Sequence, residues 1–498
     1  MGTSMGLLAS ILIAAMTARA EAQAFPGVGE EPGDLQRELS LQETEQERLR
    51  RVEEQLKRQQ DTIDEQQRKI GELERLKGKK GFSLYATFTD GFHLMDDEGS
   101  FDMHLGGRVI LHYRNVYDLP PAFVAGPGAP PAYPARTQPN TFYINSVYLI
   151  FEGTIFKEWG YRVTGEVSTT TGGPNARLES SYVEWKRFRE FSIRAGNFKA
   201  PMSVDTISSP LFLDEIERSM LAQFVPSFEL GIMVYGSLWD SLLTYQVAVT
   251  NGRSYLAGVG RTRNDDDQTK EVVGRLTVAP FVQDTDNVLR FLRLGISGTT
   301  GAASAVPMQA NFSVASTELA VTWLVPNTND FLDGHRVRAA AELAWSYGAV
   351  SFRMEGLYRS DQVTRPTAAI DERLVTKAWY AQAGVILTGE EKILDARIRP
   401  AHPFDLATGD FGAFEIVARV ARVTLDQGTL LDLATDLTNQ TNRMGSATVG
   451  FNWWPVQNIR ISIDGVREDY YGGVVFILPG GPRITHLYGL LARFQVDF

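Results

Sequence analysis

There is no cysteine anywhere in the 498 residues. Disulfides and thiolate metal sites are therefore excluded, and the composition suits a chain that crosses an oxidising compartment unfolded. An excess of basic charge is missing as well: 49 Lys and Arg face 60 Asp and Glu, a net charge of −11. That balance excludes a nucleic-acid binder, because affinity for a phosphate backbone needs a basic surface. Nor is there an apolar run long enough to span a bilayer as a helix. The longest, Leu7 to Ala18, is about a dozen residues where about twenty are needed, a length that fits the core of a secretory signal. No Lys or Arg precedes it, against the usual signal pattern, but small residues follow at Ala18-Arg19-Ala20 and Ala22-Gln23-Ala24. A signal peptide is expected over 1–24, cleaved after Ala20 or Ala24. Six histidines, His93, His104, His112, His335, His402 and His486, include no H-E-x-x-H and no ligand-spaced cluster, so no catalytic residue, metal or cofactor is expected.

What is present falls into two materials. Between 34 and 80, Leu35, Leu49, Leu56, Ile63 and Ile70 fall on a seven-residue ladder with Val52 and Leu73 at the second core position, amid Glu, Gln, Arg, Lys and Asp. This predicts a heptad helix able to form a coiled coil, with Gln42, Gln59 and Gln66 weakening the seam. A solvated single helix is the alternative. Gly78-Lys79-Lys80-Gly81 ends it.

From residue 82 to 498 the period is two. In the last segment, Tyr488, Leu490, Ala492, Phe494, Val496 and Phe498 share one parity, opposite Arg493, Gln495 and Asp497. Val337, Ala339, Ala341, Leu343, Trp345 and Tyr347 likewise oppose Arg336, Arg338, Glu342 and Ser346, and Ile459, Ile461 and Ile463 oppose Arg460, Ser462 and Asp464. One oily and one wet face per strand, ending on an aromatic, predicts an all-β antiparallel barrel facing lipid. The terminal phenylalanine resembles the assembly signal of Gram-negative outer-membrane proteins.

Very short turns near 188–190, 239–241, 347–349 and 455–458 alternate with long polar stretches. Barrels place short turns in the periplasm. Strands are then expected at 103–114, 142–153, 160–169, 178–187, 190–199, 229–238, 242–250, 270–279, 289–298, 336–346, 350–359, 378–388, 413–424, 445–454, 458–467 and 486–498, sixteen in all, with eighteen as the rival count. Sixteen requires Glu318 to Val325 to lie in an outer loop and Glu390 to Gly412 to be a long periplasmic connection.

Several blocks carry a family resemblance. Phe151-Glu152-Gly153-Thr154-Ile155-Phe156-Lys157-Glu158-Trp159, Ala195-Gly196-Asn197-Phe198-Lys199-Ala200-Pro201, Ile216-Glu217-Arg218-Ser219, Phe224-Val225-Pro226, Glu342 to Gly348, and Leu387-Thr388-Gly389-Glu390 resemble the phosphate-selective porins O and P. The resemblance spans most of 90 to 498. It implies a sixteen-stranded, trimeric outer-membrane porin of a Gram-negative bacterium that passes small anions, in some members phosphate or polyphosphate. Its surroundings would be outer-membrane lipid and lipopolysaccharide, with the helix in the periplasm.

In such a pore, rings of lumen charge decide which ions enter. The inward parity collects Arg108, Arg114, Arg162, Lys186, Arg194, Arg275, Arg338, Arg353, Arg359, Arg419, Arg460 and Arg493 against Glu152, Glu166, Glu184, Glu342, Glu355, Glu415, Asp464 and Asp497. The excess is positive, and arginine's planar fork suits phosphate. Pairing of these charges across strands is the competing reading. Lys199 stands where the long loop to Glu229 begins; that loop, with Pro201, Pro210 and Pro226, is the candidate constriction. Its Asp214, Glu215, Glu217 and Arg218 form a largely acidic stretch, a departure from a purely phosphate-attracting eyelet.

Other features default to structure. Seven prolines over 118–140 read as an outer loop, Asp265-Asp266-Asp267 as a solvated loop, and Trp159, Trp239, Trp323, Trp453 and Trp454 as interfacial anchors. The alternative functions are a barrel-anchored envelope tether or adhesin using the coiled coil and, more remotely, an outer-membrane hydrolase.

Overall fold

The computed structural model describes residues 32–77, 84–88, 91–117, 122–123, 131–132, 140–169, 175–252, 269–308, 314–324, 326–327, 329–368, 370–432, 440–474 and 483–498. The expected signal peptide, the aspartate triplet and most of the proline-rich loop lie outside these residues. The chain divides into two units, Met1–Phe82 and Ser83–Phe498. The first contains helix α1, Pro32–Lys77, about 70 Å long at 1.5 Å per residue.

The second unit is a barrel. Its wall strands are β1 (Phe101–Tyr117), β2 (Asn140–Ile155), β3 (Trp159–Ser168), β4 (Asn175–Trp185), β5 (Ser192–Lys199), β6 (Phe228–Leu238), β7 (Leu243–Thr250) and β8 (Glu271–Val278). The circuit continues through β9 (Arg293–Pro307), β10 (Phe331–Tyr347), β11 (Val350–Arg365), β12 (Ile370–Ile386), β13 (Ala413–Leu425), β14 (Arg443–Val456), β15 (Ile459–Val474) and β16 (Ile484–Asp497). Each pairs antiparallel with the next, and β16 returns to β1 from Tyr488↔Tyr117 to Asp497↔Arg108, closing the wall at sixteen strands. Every expected strand is found. Two further short strands, Leu84–Phe88 and Phe92–Asp96, form a hairpin that the alternation did not reveal; it pairs with Asp102 to Leu105 of β1, beyond the stretch held by β16. The sheet thus has eighteen strands and the closed wall sixteen.

The period-two pattern resolves into an inverted molecule. Outward residues such as Leu149, Phe151, Ile232, Val249, Ile296, Met354, Ile416, Val449 and Phe494 are exposed, whereas inward Arg338, Arg353, Arg419, Arg460, Glu415 and Asp464 are buried. Only a lipid surround makes that arrangement stable, because exposed apolar surface of this extent would drive association in water. Short turns close one end. That at Trp239–Ser241 has all three residues at positive φ, and Gly348 turns β10 into β11 at φ 52. Trp159 and Trp239 stand exposed at this end as anchors, but Trp323 and Trp454 are buried.

The interior is filled by connections folding in from both ends. From the long-loop end comes Ala200 to Ser227, with the short helix α2 (Val204–Ile207) and turns at Pro210–Phe212 and Met220–Phe224. Between β9 and β10, Val314–Ala315 pairs with Thr322–Leu324 in a separate hairpin, so Glu318 and its neighbours are a loop element outside the wall. Met202, Ile216, Met220, Leu221 and Phe224 join Leu319, Val321, Trp323 and inward Val363, Leu374, Leu487 and Leu491 in one buried apolar cluster. From the short-turn end comes Leu387 to Gly412, the long connection expected between β12 and β13.

Candidate functional site: the constriction

The inward loop is tied to the wall by polar contacts, because each buried backbone group it brings must find a partner. Arg460 donates to the carbonyls of Leu213 and Asp214, and Asn452 Nδ2 reaches the Asp214 carbonyl at 2.8 Å. Asp464 accepts from the Ile216 amide at 2.7 Å. Arg493 holds Pro210 O at 3.1 Å, the Ile216 carbonyl and, at 2.9 Å, His112 Nε2. On the other side, Ser203 donates to Glu355 at 3.0 Å and Arg359 to Phe224 O at 3.3 Å.

The four constriction candidates meet different partners. Asp214 pairs with Lys392 at 2.6 Å and accepts from Gln382 at 2.8 Å. Glu215 faces Arg419 at 3.3 Å, which also holds Glu318 at 2.7 Å. Glu217 lies 3.3 Å from His112 and 3.6 Å from Arg114. Arg218 donates to Ser208 O at 2.7 Å. These environments separate the carboxyls. Burial, with Asp214 and Asp464 adding to it against Arg419, pushes Glu215 up to about 8. Burial also opposes ionisation of Glu217, but the His112 hydrogen bond and nearby cations outweigh it and hold that group below the usual range. The acidic stretch is therefore less acidic than its formal count.

Along the wall, pairing with carboxylates of the same or a nearby strand absorbs much of the arginine set. Arg162 meets Glu152 at 3.0 Å, Arg194 meets Glu184 at 2.7 Å, Arg359 meets Asp361 at 2.6 Å, and Lys186 lies 3.8 Å from Glu184. Arg275 pairs with Glu342 and Arg338 with Glu271. Arg353 pairs with Asp395 at 3.2 Å. Asp395 also holds Arg293 at 3.1 Å; burial opposes its ionisation, yet Arg353 and Arg293 together keep it down at about 2.

Of the candidate wall and loop cations, those for which no carboxylate pairs among the described residues are Arg108, Lys199, Arg218, Arg460 and Arg493. Three of them converge. Lys199 Nζ donates to Ile207 O at 3.1 Å and Ser208 O at 2.9 Å, and Arg218 shares that second carbonyl. Arg108 Nη1 reaches the Ser209 hydroxyl at 3.1 Å, its guanidinium lying 3.8 Å over the Tyr148 ring. The Ser208 hydroxyl is met by Arg353 at 3.2 Å. A single corner, Ser208-Ser209, thus gathers four cations, three without a carboxylate partner. Glu355 and Asp464 lack cations too, but they accept hydrogen bonds elsewhere on the loop. Lys199 and Arg218 were legible as candidates. The serines, Lys392 and Asp395 were not, because nothing in a loop's sequence states which wall residue it will meet.

Comparison with known proteins gives the family. The family model described as phosphate-selective porin O and P matches residues 132–472. Porin O of Pseudomonas aeruginosa is 22% identical over 403 residues, 75% of this chain and 84% of that protein. Among solved structures, the outer membrane channel DcaP of Acinetobacter baumannii is similar at 11% identity and a TM-score of 0.49, covering 82% of this chain and all of that one. The anion-selective porin from Comamonas acidovorans has 11% identity and a TM-score of 0.44, covering 80% and 99%. With most of the barrel matched by one family model, the chain belongs to the phosphate-selective porin O and P family.

Proposed function

We propose that this outer-membrane porin passes small anions, phosphate or polyphosphate among them, by diffusion without a covalent step. The observation that carries the reading is the Ser208-Ser209 corner, where Lys199, Arg218 and Arg108 converge with no carboxylate paired to any of them, while Asp395, which accepts from the Ser208 hydroxyl at 2.6 Å, is matched by Arg353. A fixed positive cluster in a narrow passage lowers the barrier for anions and raises it for cations. Paired wall arginines supply little net field. In a planar bilayer under a KCl gradient, the reversal potential should lie on the anion side, and phosphate should reduce the chloride current. A potential at zero or on the cation side would sink the reading. The selectivity should also fall as pH rises from 6 to 9. Glu215, protonated below about 8, gains negative charge through that window, and Glu215→Gln should flatten the dependence.

The remaining parts of the reading concern the surroundings. We assign 1–24 to a signal peptide, 34–80 to a periplasmic coiled-coil helix and 82–498 to the barrel, with outer-membrane lipid and lipopolysaccharide against the apolar band. Val52, Leu56, Ile63 and Ile70 are about half exposed on an otherwise charged helix. Such a seam is stabilised by copies of itself, consistent with a homotrimer. Crosslinking of the purified porin should give a trimeric band, weakened by Leu56→Glu with Ile63→Glu; a monomer alone would remove this proposal.

A further inference from the structure

Ser209 of this corner lines a cavity of about 870 Å³. Its lining departs from what a passage for hydrated inorganic ions requires. Ile150 occupies an inward position of β2, between Tyr148 and Glu152, and lines the cavity. Leu211 and Phe212 of the inward loop and Ile393 of the opposite connection add apolar surface, Ile393 being 49% exposed. Four arginines stand among these: Arg162 is paired with Glu152 and Arg397 with Asp497, Arg399 is exposed, and Arg108 is buried and fixed in place. Arg108 is 4% exposed, stacked on Tyr148, bonded to Ser209, and its Nε has no hydrogen-bond partner.

We propose that this cavity is a binding site for an organic monoanion with an apolar body, an alkyl or aryl carboxylate. The inference rests on the anion-pore reading and names a solute class for the same passage. A carboxylate placed on Arg108 and Ser209 leaves its hydrocarbon part against Ile150, Leu211, Phe212 and Ile393, so water leaves both surfaces. An inorganic anion gains nothing from those side chains and forfeits hydration beside them. One anionic group is accommodated rather than two. Arg162 and Arg397 are already held by Glu152 and Asp497, and Glu390 and Glu391 outnumber Arg399 in the rest of the lining, so a second carboxylate is repelled.

The test is block of chloride current through the full-length porin by benzoate, acetate and phosphate at equal ionic strength. Benzoate should half-block at a concentration at least ten-fold below acetate. Phe212→Ser, on the loop, and Ile150→Thr, on the rigid wall, should each shrink that ratio to below about three-fold while acetate is unchanged. Equal block by benzoate and acetate in the native porin, or tighter block by phosphate, overturns the proposal, as does a ratio that survives in both variants. Chloride-over-potassium selectivity read in the same membranes separates the two claims. Without it the anion-pore reading fails; with it and with equal block, only the apolar site fails.

Discussion

Replacing Lys392 by methionine is expected to destabilise the barrel interior by about 3 to 5 kcal/mol, the range for removing one member of a buried ion pair. Lys392 is 6% exposed and bridges Asp214 of the inward loop at 2.6 Å to Glu415 of the wall at 2.5 Å. Its ammonium stays charged because Asp214 and Glu415 outweigh the burial that opposes it. Without it two buried carboxylates face each other, and the opening between loop and short-turn connection admits water. The loss should show in the temperature at which the folded form disappears on a semi-native gel. It should also depend on pH. Carboxylates raised by losing their cation favour the folded state only while protonated, so the defect should be small below about pH 4, the ordinary carboxylate range, and grow as pH rises above it. Adding Asp214→Asn and Glu415→Gln should restore most of the stability, since a neutral hydrogen-bonded trio replaces stranded charge. If Lys392→Met melts like the native porin at pH 8, the bridge is not what fixes the loop.

The wall was readable because two solvents impose it. Lipid outside and water or polar loops inside force period two, and each strand expected from that period is present. The reading failed where one solvent changes. On β11 the outward positions pass from Met354 and Tyr358 to Ser360, Gln362 and Thr364, and on β12 from Trp379 to Lys377, Arg373 and Asp371. Those residues stand beyond the bilayer, so nothing selects apolar side chains there, and the strands run on unseen. Inside, the opposite happens. Val363 and Leu374 point inward yet are apolar and buried, because loops rather than water meet them. The hairpin at Leu84–Asp96 escaped for a related reason: it covers only the end of β1 and needs no continuous oily face. The candidate site was legible in composition but not in geometry. Parity collects candidate arginines; only the path of the loop decides that Arg162 is spent on Glu152 while Arg108 is left for Ser209.

That distinction predicts which charges set selectivity. Lys199→Gln combined with Arg218→Gln should lower the anion-to-cation permeability ratio about ten-fold or more, whereas Arg467→Gln, exposed and paired with Asp469 at 2.7 Å, should leave it within about two-fold. Two cations within hydrogen-bond reach of the same Ser208 carbonyl act on a passing ion together. At about 5 Å and an effective dielectric of about 20, one full charge contributes about 3 kcal/mol, reduced by water and salt in the passage. About half of that, for one net charge shared by the pair, still reaches the roughly 1.4 kcal/mol of a ten-fold change. Glutamine keeps amide donors for Ile207 O and Ser208 O, so the corner need not collapse when its charge is removed. The double variant should therefore fold, with heat stability near that of the native porin and reversal potential displaced toward zero. A ratio unchanged in a folded double variant would show that the paired wall arginines, not this corner, carry the field.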